Sequence, residues 1–222
     1  MRHHLGVIDG PIASAPWTLV VPVLFWAMPL AFFVWWKRNR DLQLRRLGRR
    51  LGLEYRGAPH GIEHLPRMLR QQATASLSGT WREHRVTYVH AGALSAASVD
   101  VPADCPRLVI DGRHGADRIW GGSIAPVSLT ERRGTEWEEF DRGFDVRCDD
   151  ARFANAFVDQ RMMRALMGFA DGHSYIEVRG DTLTLTSTRA IPVSEVEALL
   201  DRLTALADQI PRIIPEMYGP RP

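Results

Sequence analysis

The chain is poor in cysteine, with only Cys105 and Cys148 among its 222 residues. Two cysteines in a chain of this length do not make the dense disulfide framework of small secreted domains. In a reducing compartment, two small buried thiols behave as apolar side chains. We therefore expect both to be buried and reduced, and a disulfide is the alternative if the domain faces an oxidising compartment.

The chain also lacks the short motifs that name a reaction. No stretch matches a P-loop, a dinucleotide-binding glycine fingerprint or a nucleophile elbow, and Gly121-Gly122-Ser123 is too short to cradle a phosphate and predicts a turn. There is no internal repeat, and no glycine-rich linker separates two folded bodies. The sequence therefore predicts neither a cofactor nor a metal centre.

The larger part of the chain also lacks an excess of basic over acidic residues. Residues 57–222 carry 19 arginines and no lysine against 23 acidic residues, a net charge of −4. Nucleic-acid binding requires a basic face on the folded domain. The charge balance therefore argues against a nucleic-acid partner.

What the chain does contain is one long apolar run. From Trp17 to Trp36 the only polar side chain is that of Thr18. At about 1.5 Å of rise per residue, this run is long enough to cross a hydrocarbon core of roughly 30 Å. Tryptophans stand at both ends, where indole favours the membrane interface, and two prolines inside the run predict a bend. We expect residues 16–36 to form a transmembrane helix.

Two alternatives fit the run less well. A cleaved signal peptide has positive charge before a shorter apolar stretch and small residues after it. Here the small residues Ala13, Ser14 and Ala15 precede the run. A buried core helix is usually shorter and lacks interfacial aromatics at both ends.

Basic residues follow the run at once and predict its orientation. Between Lys37 and Arg56 there are eight basic and two acidic residues. The positive-inside rule then places the C-terminal side in the cytoplasm and the short leader, residues 1–15, outside the cell. Anionic lipid head groups are the expected contacts of the basic residues. The predicted membrane-interface residues are Trp17, Trp35, Trp36, Lys37, Arg38 and Arg40.

Periodicity predicts an α+β fold with a mainly antiparallel sheet and helices packed on one face. The predicted strands are 74–81, 86–91, 107–111 and 144–148, with Arg82-Glu83-His84-Arg85 as the turn between the first two. A further hairpin is predicted at Gly180-Asp181, a dipeptide that favours positive φ. That turn would pair Val178 with Leu183 and Ile176 with Leu185 on one face.

The predicted helices lie mainly towards the two ends of this domain. A basic juxtamembrane helix is expected within 37–56, ended by Gly52, with Leu44, Leu47 and Leu51 as its apolar stripe. The other predicted helices are 62–70, interrupted by Pro66; 151–170, capped by Asp149 or Asp150; and 194–209, with Ser194 and Glu197 as a capping box. The domain is expected over 57–210, followed by an extended proline-rich tail, 211–222.

One stretch carries a resemblance. Residues Glu139-Phe140-Asp141-Arg142-Gly143-Phe144-Asp145-Val146 resemble a pattern in a family of uncharacterised bacterial proteins with N-terminal membrane anchors, and Gly79-Thr80-Trp81 with Arg85-Val86 resembles its upstream strand pair. The resemblance covers 75–219. It implies a membrane-tethered domain of unknown function and brings no catalytic residues.

Candidate chemical groups are few. His60 and His64 have the i, i+4 spacing that zinc can use, but no third ligand is near in sequence. Asp149 and Asp150 are expected to cap a helix rather than to form a catalytic pair. Trp81, Trp120 and Trp137 are expected to be core or rim aromatics rather than a ligand cage.

These observations favour a non-catalytic interaction or scaffold module on the cytosolic face of the cell membrane. Its expected partner is a membrane or cytosolic protein, bound through the irregular segment 112–136 or the proline-rich tail. The alternative is an enzyme or a small-ligand-binding domain with a pocket near 105–150. There acidic side chains, the thiols of Cys105 and Cys148 and the imidazole of His114 would converge.

Overall fold

The computed structural model describes residues 17–57, 62, 65, 67–112, 137–169 and 174–219. Within these ranges the side chains are described from Met28 onward, except those of Leu30, Arg67 and Met68. The chain divides into two compact units, Met1–Leu42 and Gln43–Pro222. The predicted leader, residues 1–15, and almost all of the segment 112–136 lie outside the described residues.

The first helix, α1, is Trp17–Leu51. Its last turns confirm the predicted helix over 37–52 and its apolar stripe, which is at most 8% exposed. Gly52 ends the helix with a φ of 71°, a conformation that glycine adopts without steric cost. Gly48 allows a close approach to the sheet, because a Cβ there would lie 2.9 Å from a methyl carbon of Leu77.

The predicted membrane span remains a prediction. In the part of α1 and of the other helices whose side chains are described, no stretch is both long enough and apolar enough to cross a bilayer. The side chains of residues 17–27 and Leu30 lie outside that set.

In the described residues, the second unit is built on a six-stranded antiparallel sheet, which confirms the predicted α+β class and the mainly antiparallel sheet. Its strands are β1 (Glu54–Arg56), β2 (Ala75–Trp81), β3 (His84–Ala91), β4 (Leu94–Gly112), β5 (Phe144–Cys148) and β6 (Ser174–Ser187). The central strand is β4. Its first half pairs with β3 and its second half with β5 along one edge, while β6 pairs along the other edge.

The hairpin predicted at Gly180-Asp181 is wrong. Strand β6 runs through this dipeptide without turning and pairs with β4, so that Val178 lies opposite Leu108 and Leu183 opposite Val99. Gly180 does have a positive φ of 57°, but the positive φ accompanies an irregularity in the register with β4 rather than a chain reversal.

The predicted strand over 107–111 is the end of the longer strand β4. The sequence does not predict the first part of β4, because it contains Pro102 and Pro106 and proline cannot donate to a strand ladder. The register shifts against β6 fall between Asp100 and Leu108, so both prolines lie where the regular ladder is interrupted. The turn between β2 and β3 is also tighter than predicted, since only Arg82 and Glu83 lie between the strands, both with positive φ.

Helices cover one face of the sheet and part of the other. The described helices after α1 are α2 (Arg67–Gln72), α3 (Glu138–Gly143), α4 (Ala151–Phe157), α5 (Gln160–Met167), α6 (Val193–Ala207) and α7 (Ile213–Tyr218). The main core contains side chains of α1, α3, α4, α5, α6 and α7. A smaller cluster includes Leu69 of α2 with Val89 and Ala91 of β3. The prediction that helices occupy a single face is therefore wrong for α2.

Capping aspartates divide the helix predicted over 151–170 into two. Asp150 accepts hydrogen bonds from the backbone N–H groups of Arg152 and Phe153, which confirms the expected cap of α4. Asp159 accepts from the backbone N–H of Met162 at 2.7 Å and begins α5. An aspartate side chain competes with the backbone for such donors, so the helix is interrupted there. The capping box predicted at Ser194 and Glu197 is absent, because Pro192 is the N-cap of α6 and makes no side-chain cap.

The tail after Ile210 is not extended as predicted, because α7 forms within it and packs on the body. Ile214 is fully buried, and the ring of Tyr218 meets Phe153 edge-on at 5.2 Å between centroids. The Tyr218 hydroxyl donates to Oδ2 of Asp150 at 2.7 Å. The same carboxylate therefore caps α4 and holds α7.

This hydrogen bond predicts a pH-dependent stability. The Tyr218 hydroxyl lowers the pKa of Asp150 below its ordinary value of 3.8. A carboxyl group whose pKa is lower in the folded state stabilises the fold above its unfolded pKa, and that stabilisation is lost as pH falls through the folded pKa. We expect Tyr218→Phe to lower the free energy of unfolding by roughly 1 kcal/mol at neutral pH and by less at about pH 3.

Urea unfolding of the full chain in detergent micelles measures this difference. Asp149→Asn is the matched control, because its side chain lies next to the cap but is exposed. An equal loss of stability at both pH values in Tyr218→Phe would contradict the role assigned to the carboxylate.

Candidate functional site

An exposed apolar surface lies on α1 before its basic segment. Phe32, Phe33, Val34 and Trp35 are each 57–63% exposed, Trp36 is 41% exposed, and Met28 is 71% exposed. Five consecutive helical residues point in every direction around the axis, so the apolar surface surrounds the helix. Soluble monomers rarely expose a contiguous apolar area of this kind.

Five of the six predicted membrane-interface residues lie at the end of this surface or directly after it. The Trp35 ring packs beside Phe32 with centroids 5.9 Å apart, and the Trp36 ring packs beside Phe33 at 6.5 Å. The Arg40 guanidinium lies 5.6 Å from the centroid of the Trp36 ring. Lys37 and Arg38 are exposed, while the side chain of Trp17 lies outside the described residues. In the interface set, each of the two tryptophans thus packs at a tilt beside a phenylalanine, and cations follow them.

A surface pocket of about 380 Å³ lies within the second unit. It is lined by Arg45 and Arg49 of α1 and by Leu53, Tyr55 and Gly57, which follow the helix. The strand β1 fixes Tyr55 by pairing it with Leu77 of β2. The pocket therefore combines two guanidinium groups and a phenol with a buried leucine.

The two arginines occupy neighbouring positions on one helix face. Residues at i and i+4 face each other, and like charges in this arrangement destabilise a helix by about 0.2–0.5 kcal/mol. The Arg45 guanidinium lies 4.9 Å from the centroid of the Tyr55 ring, which offsets part of this repulsion. The last turns of a helix also favour cations, because the backbone carbonyls there are partially negative.

Neighbouring arginines differ from this pair in their partners. Arg50 forms an ion pair with Glu197, and Arg56 donates two hydrogen bonds of 3.0 Å to the carboxylate of Glu54. In the part of the chain that the structure describes, no carboxylate forms an ion pair with Arg45 or Arg49. Within the described part of the chain, the positive charges of Arg45 and Arg49 are therefore not neutralised by an ion pair with a carboxylate.

The two cysteines have the environment expected of inert core thiols. Cys105 and Cys148 are free and buried, at 5% and 7% exposed. Burial raises the pKa of Cys105 to about 12 and also raises the pKa of Cys148. A thiol with a raised pKa carries little thiolate at neutral pH and is a poor nucleophile. The third group of the alternative pocket, His114, lies outside the described residues.

The remaining candidates that the structure describes serve the fold. Trp81 packs against the core and donates from Nε1 to Asp201 at 2.9 Å, and Trp137 stacks on Phe140 with centroids 6.5 Å apart. Asp150 is occupied by the helix cap and by Tyr218. Trp120, Gly121-Gly122-Ser123, His60 and His64 lie outside the described residues. Among the residues that are described, no cluster of three or more metal-ligating side chains occurs.

The pocket is not among the sites that the sequence predicts. In the sequence, Arg45 and Arg49 belong to a uniformly basic segment, and no pattern connects them with Tyr55. The i, i+4 spacing was a usable signal that both guanidinium groups share one helix face. The position of Tyr55 depends on the pairing of β1 with β2. A strand of only three residues is too short for its sequence to predict this pairing.

Comparison with known proteins gives a fold and no family. No protein-family model matches the chain, and no curated protein matches it. Among solved structures, the chain is similar to the crystal structure of the mycobacterial trehalose monomycolate transport factor A, TtfA, with a TM-score of 0.54 and 14% sequence identity. The similarity covers 83% of this chain and 99% of that chain. At this identity the two proteins share a fold.

Proposed function

We propose that this protein is a membrane-anchored, non-catalytic accessory module. Trp17–Trp36 lies in the bilayer, and the unit Gln43–Pro222 stands in the cytoplasm, where it binds a protein component of a membrane transport assembly. The observation that carries the proposal is the apolar surface that surrounds α1 from Phe32 to Trp36 and leads directly into cations. A bilayer supplies the apolar environment that this surface needs, and basic residues at the edge suit the cytoplasmic leaflet.

Two further observations support the non-catalytic part. The thiols that were candidates for nucleophilic chemistry are buried, with raised pKa values. The fold is shared with a protein whose name is that of a transport factor, which supports an accessory role in transport for this chain. The identity of 14% is too low to carry over the molecule that is transported.

Crosslinking in cells tests the partner. A photoreactive amino acid replaces Trp120, in the predicted interaction segment, and the captured protein is identified by mass spectrometry. We expect reproducible capture of an integral membrane protein of a transport system. A probe at Arg161, an exposed position on α5, is the control for non-specific neighbours. Recovery of no protein at Trp120, or of the same proteins from both positions, would overturn the proposed role.

A further inference from the structure

The pocket of Arg45, Arg49 and Tyr55 has the chemistry of an anion site. We propose that it binds a phosphate group that carries an organic substituent. The two guanidinium groups supply the charge and the directed donors, and Tyr55 lines the same pocket. The proposal concerns a specific pair of arginines, and not the general attraction of the basic segment for anionic surfaces.

Phosphate fits this donor set in both charge and shape. Each guanidinium presents two parallel N–H groups that match two oxygens of a phosphate, and such bidentate bonds are among the strongest in proteins. Two guanidinium groups on one helix face can bond different oxygens of a tetrahedral group at the same time. Binding also relieves the repulsion between the two like charges.

The size of the pocket argues for more than inorganic phosphate. Its volume of about 380 Å³ lies in the range of small-molecule sites, which is roughly 300–1,000 Å³. Leu53 contributes an apolar wall beside the charged groups, and a Cβ at Gly57 would have only the Tyr55 hydroxyl within 4 Å, at 3.9 Å. An organic substituent on the phosphate would occupy the rest of this space.

Arg45 and Arg49 differ from the neighbouring arginines in their ion pairs. Arg50 and Arg56 have carboxylate partners, whereas Arg45 and Arg49 lack an ion pair within the described part of the chain. A phosphate would be the counter-ion for both. Arg46, which is exposed and does not line the pocket, has the same charge and lies in the same segment.

Two sources can supply such a phosphate. One is a phospholipid head group, which rests on the proposed anchoring, since Arg45 follows Trp36 by nine residues. The other is a free phosphoryl compound of the cytoplasm. The shared chemistry is a phosphate monoester or diester, and the two arms of the experiment separate the sources.

The first arm uses the full chain in zwitterionic detergent micelles and inorganic phosphate as the probe, with affinity measured by isothermal titration calorimetry. We expect saturable binding that Arg45→Gln and Arg49→Gln each weaken by about tenfold or more, the effect of losing one charge-assisted hydrogen-bonding group. Arg46→Gln is the matched control and should change the affinity by less than about twofold.

Another variant keeps both arginines. A Cβ at position 57 would lie 3.9 Å from the Tyr55 hydroxyl, in ordinary contact, so Gly57→Glu introduces a carboxylate beside the pocket. We expect this variant to weaken phosphate binding as strongly as the loss of one arginine, with an unchanged circular dichroism spectrum. It therefore tests the site even if the arginine variants fold poorly.

The second arm adds phosphatidylglycerol to the micelles and counts retained lipids per chain by native mass spectrometry. Retention of a lipid that depends on Arg45 and Arg49, but not on Arg46, assigns the site to a lipid head group. Binding of inorganic phosphate with this dependence, without lipid retention, assigns it to a free phosphoryl compound. Binding in neither arm, or an equal loss in Arg46→Gln, overturns the proposal. The first arm needs no bilayer, so its result is independent of whether the chain is anchored.

Discussion

The double substitution Leu24→Arg with Met28→Arg is expected to move this protein from the membrane fraction to the soluble fraction of cells. Each arginine near the middle of a spanning helix costs about 3 kcal/mol on insertion scales, so two together outweigh the contribution of several apolar residues. Carbonate extraction followed by immunoblotting measures the distribution. With the native sequence, the protein should resist extraction.

The matched control for this prediction is Leu24→Ala with Met28→Ala, which changes the same positions without adding charge. Alanine is tolerated in a spanning helix, so this variant should stay in the membrane fraction. A C-terminal fluorescent reporter should be active in the cytoplasm if the basic segment sets the orientation. Extraction of the native protein as a soluble species, or a C-terminus outside the cell, would overturn the anchoring proposal.

The second large effect is expected from Leu44→Ala. Leu44 is 1% exposed and belongs to the main core, although it lies in the last turns of α1. Removing a buried leucine side chain costs about 2.7–5 kcal/mol, the sum of lost transfer free energy and the cavity left behind. Because natural domains are stable by only about 5–15 kcal/mol, we expect a large fall in the urea midpoint of the full chain in micelles.

Leu42→Ala is the control on the same helix. Leu42 is 44% exposed, so its truncation should change the free energy of unfolding by less than about 0.5 kcal/mol. Equal effects of the two substitutions would show that the end of α1 does not belong to the folded body. The predicted domain boundary at residue 57 would then describe the stable unit better than the compact unit that begins at Gln43.

Elements with a strong local period could be predicted from the sequence. Helix α6 shows apolar residues at helical spacing, and those of its stripe that face the core, such as Leu199 and Leu203, are buried. Strand β5 alternates between buried and partly buried side chains, as its sequence indicates. In both elements one face is decided by the spacing of apolar residues, and no distant partner is needed to recognise it.

The pairing of β4 with β6 could not be predicted in this way. Gly180-Asp181 is a good local turn signal, and the hairpin it implies would put the same side chains on one face. The longer strand β4 offers β6 an alternative partner along both of its halves, at the cost of an irregular register beside Gly180. The local preference of this dipeptide for a turn is overridden when pairing with a distant strand buries more apolar surface.

The sequence by itself determined the apolar run, the basic segment after it and the α+β class, because each depends on composition or on short periodic spacing. Only the tertiary structure decided that the end of α1 belongs to the core, that Tyr218 holds the tail through Asp150, and that Arg45 and Arg49 share a pocket with Tyr55. These contacts join residues through β1 and the packing of helices on the sheet. Their energies depend on distances between elements, which no local pattern of side chains encodes.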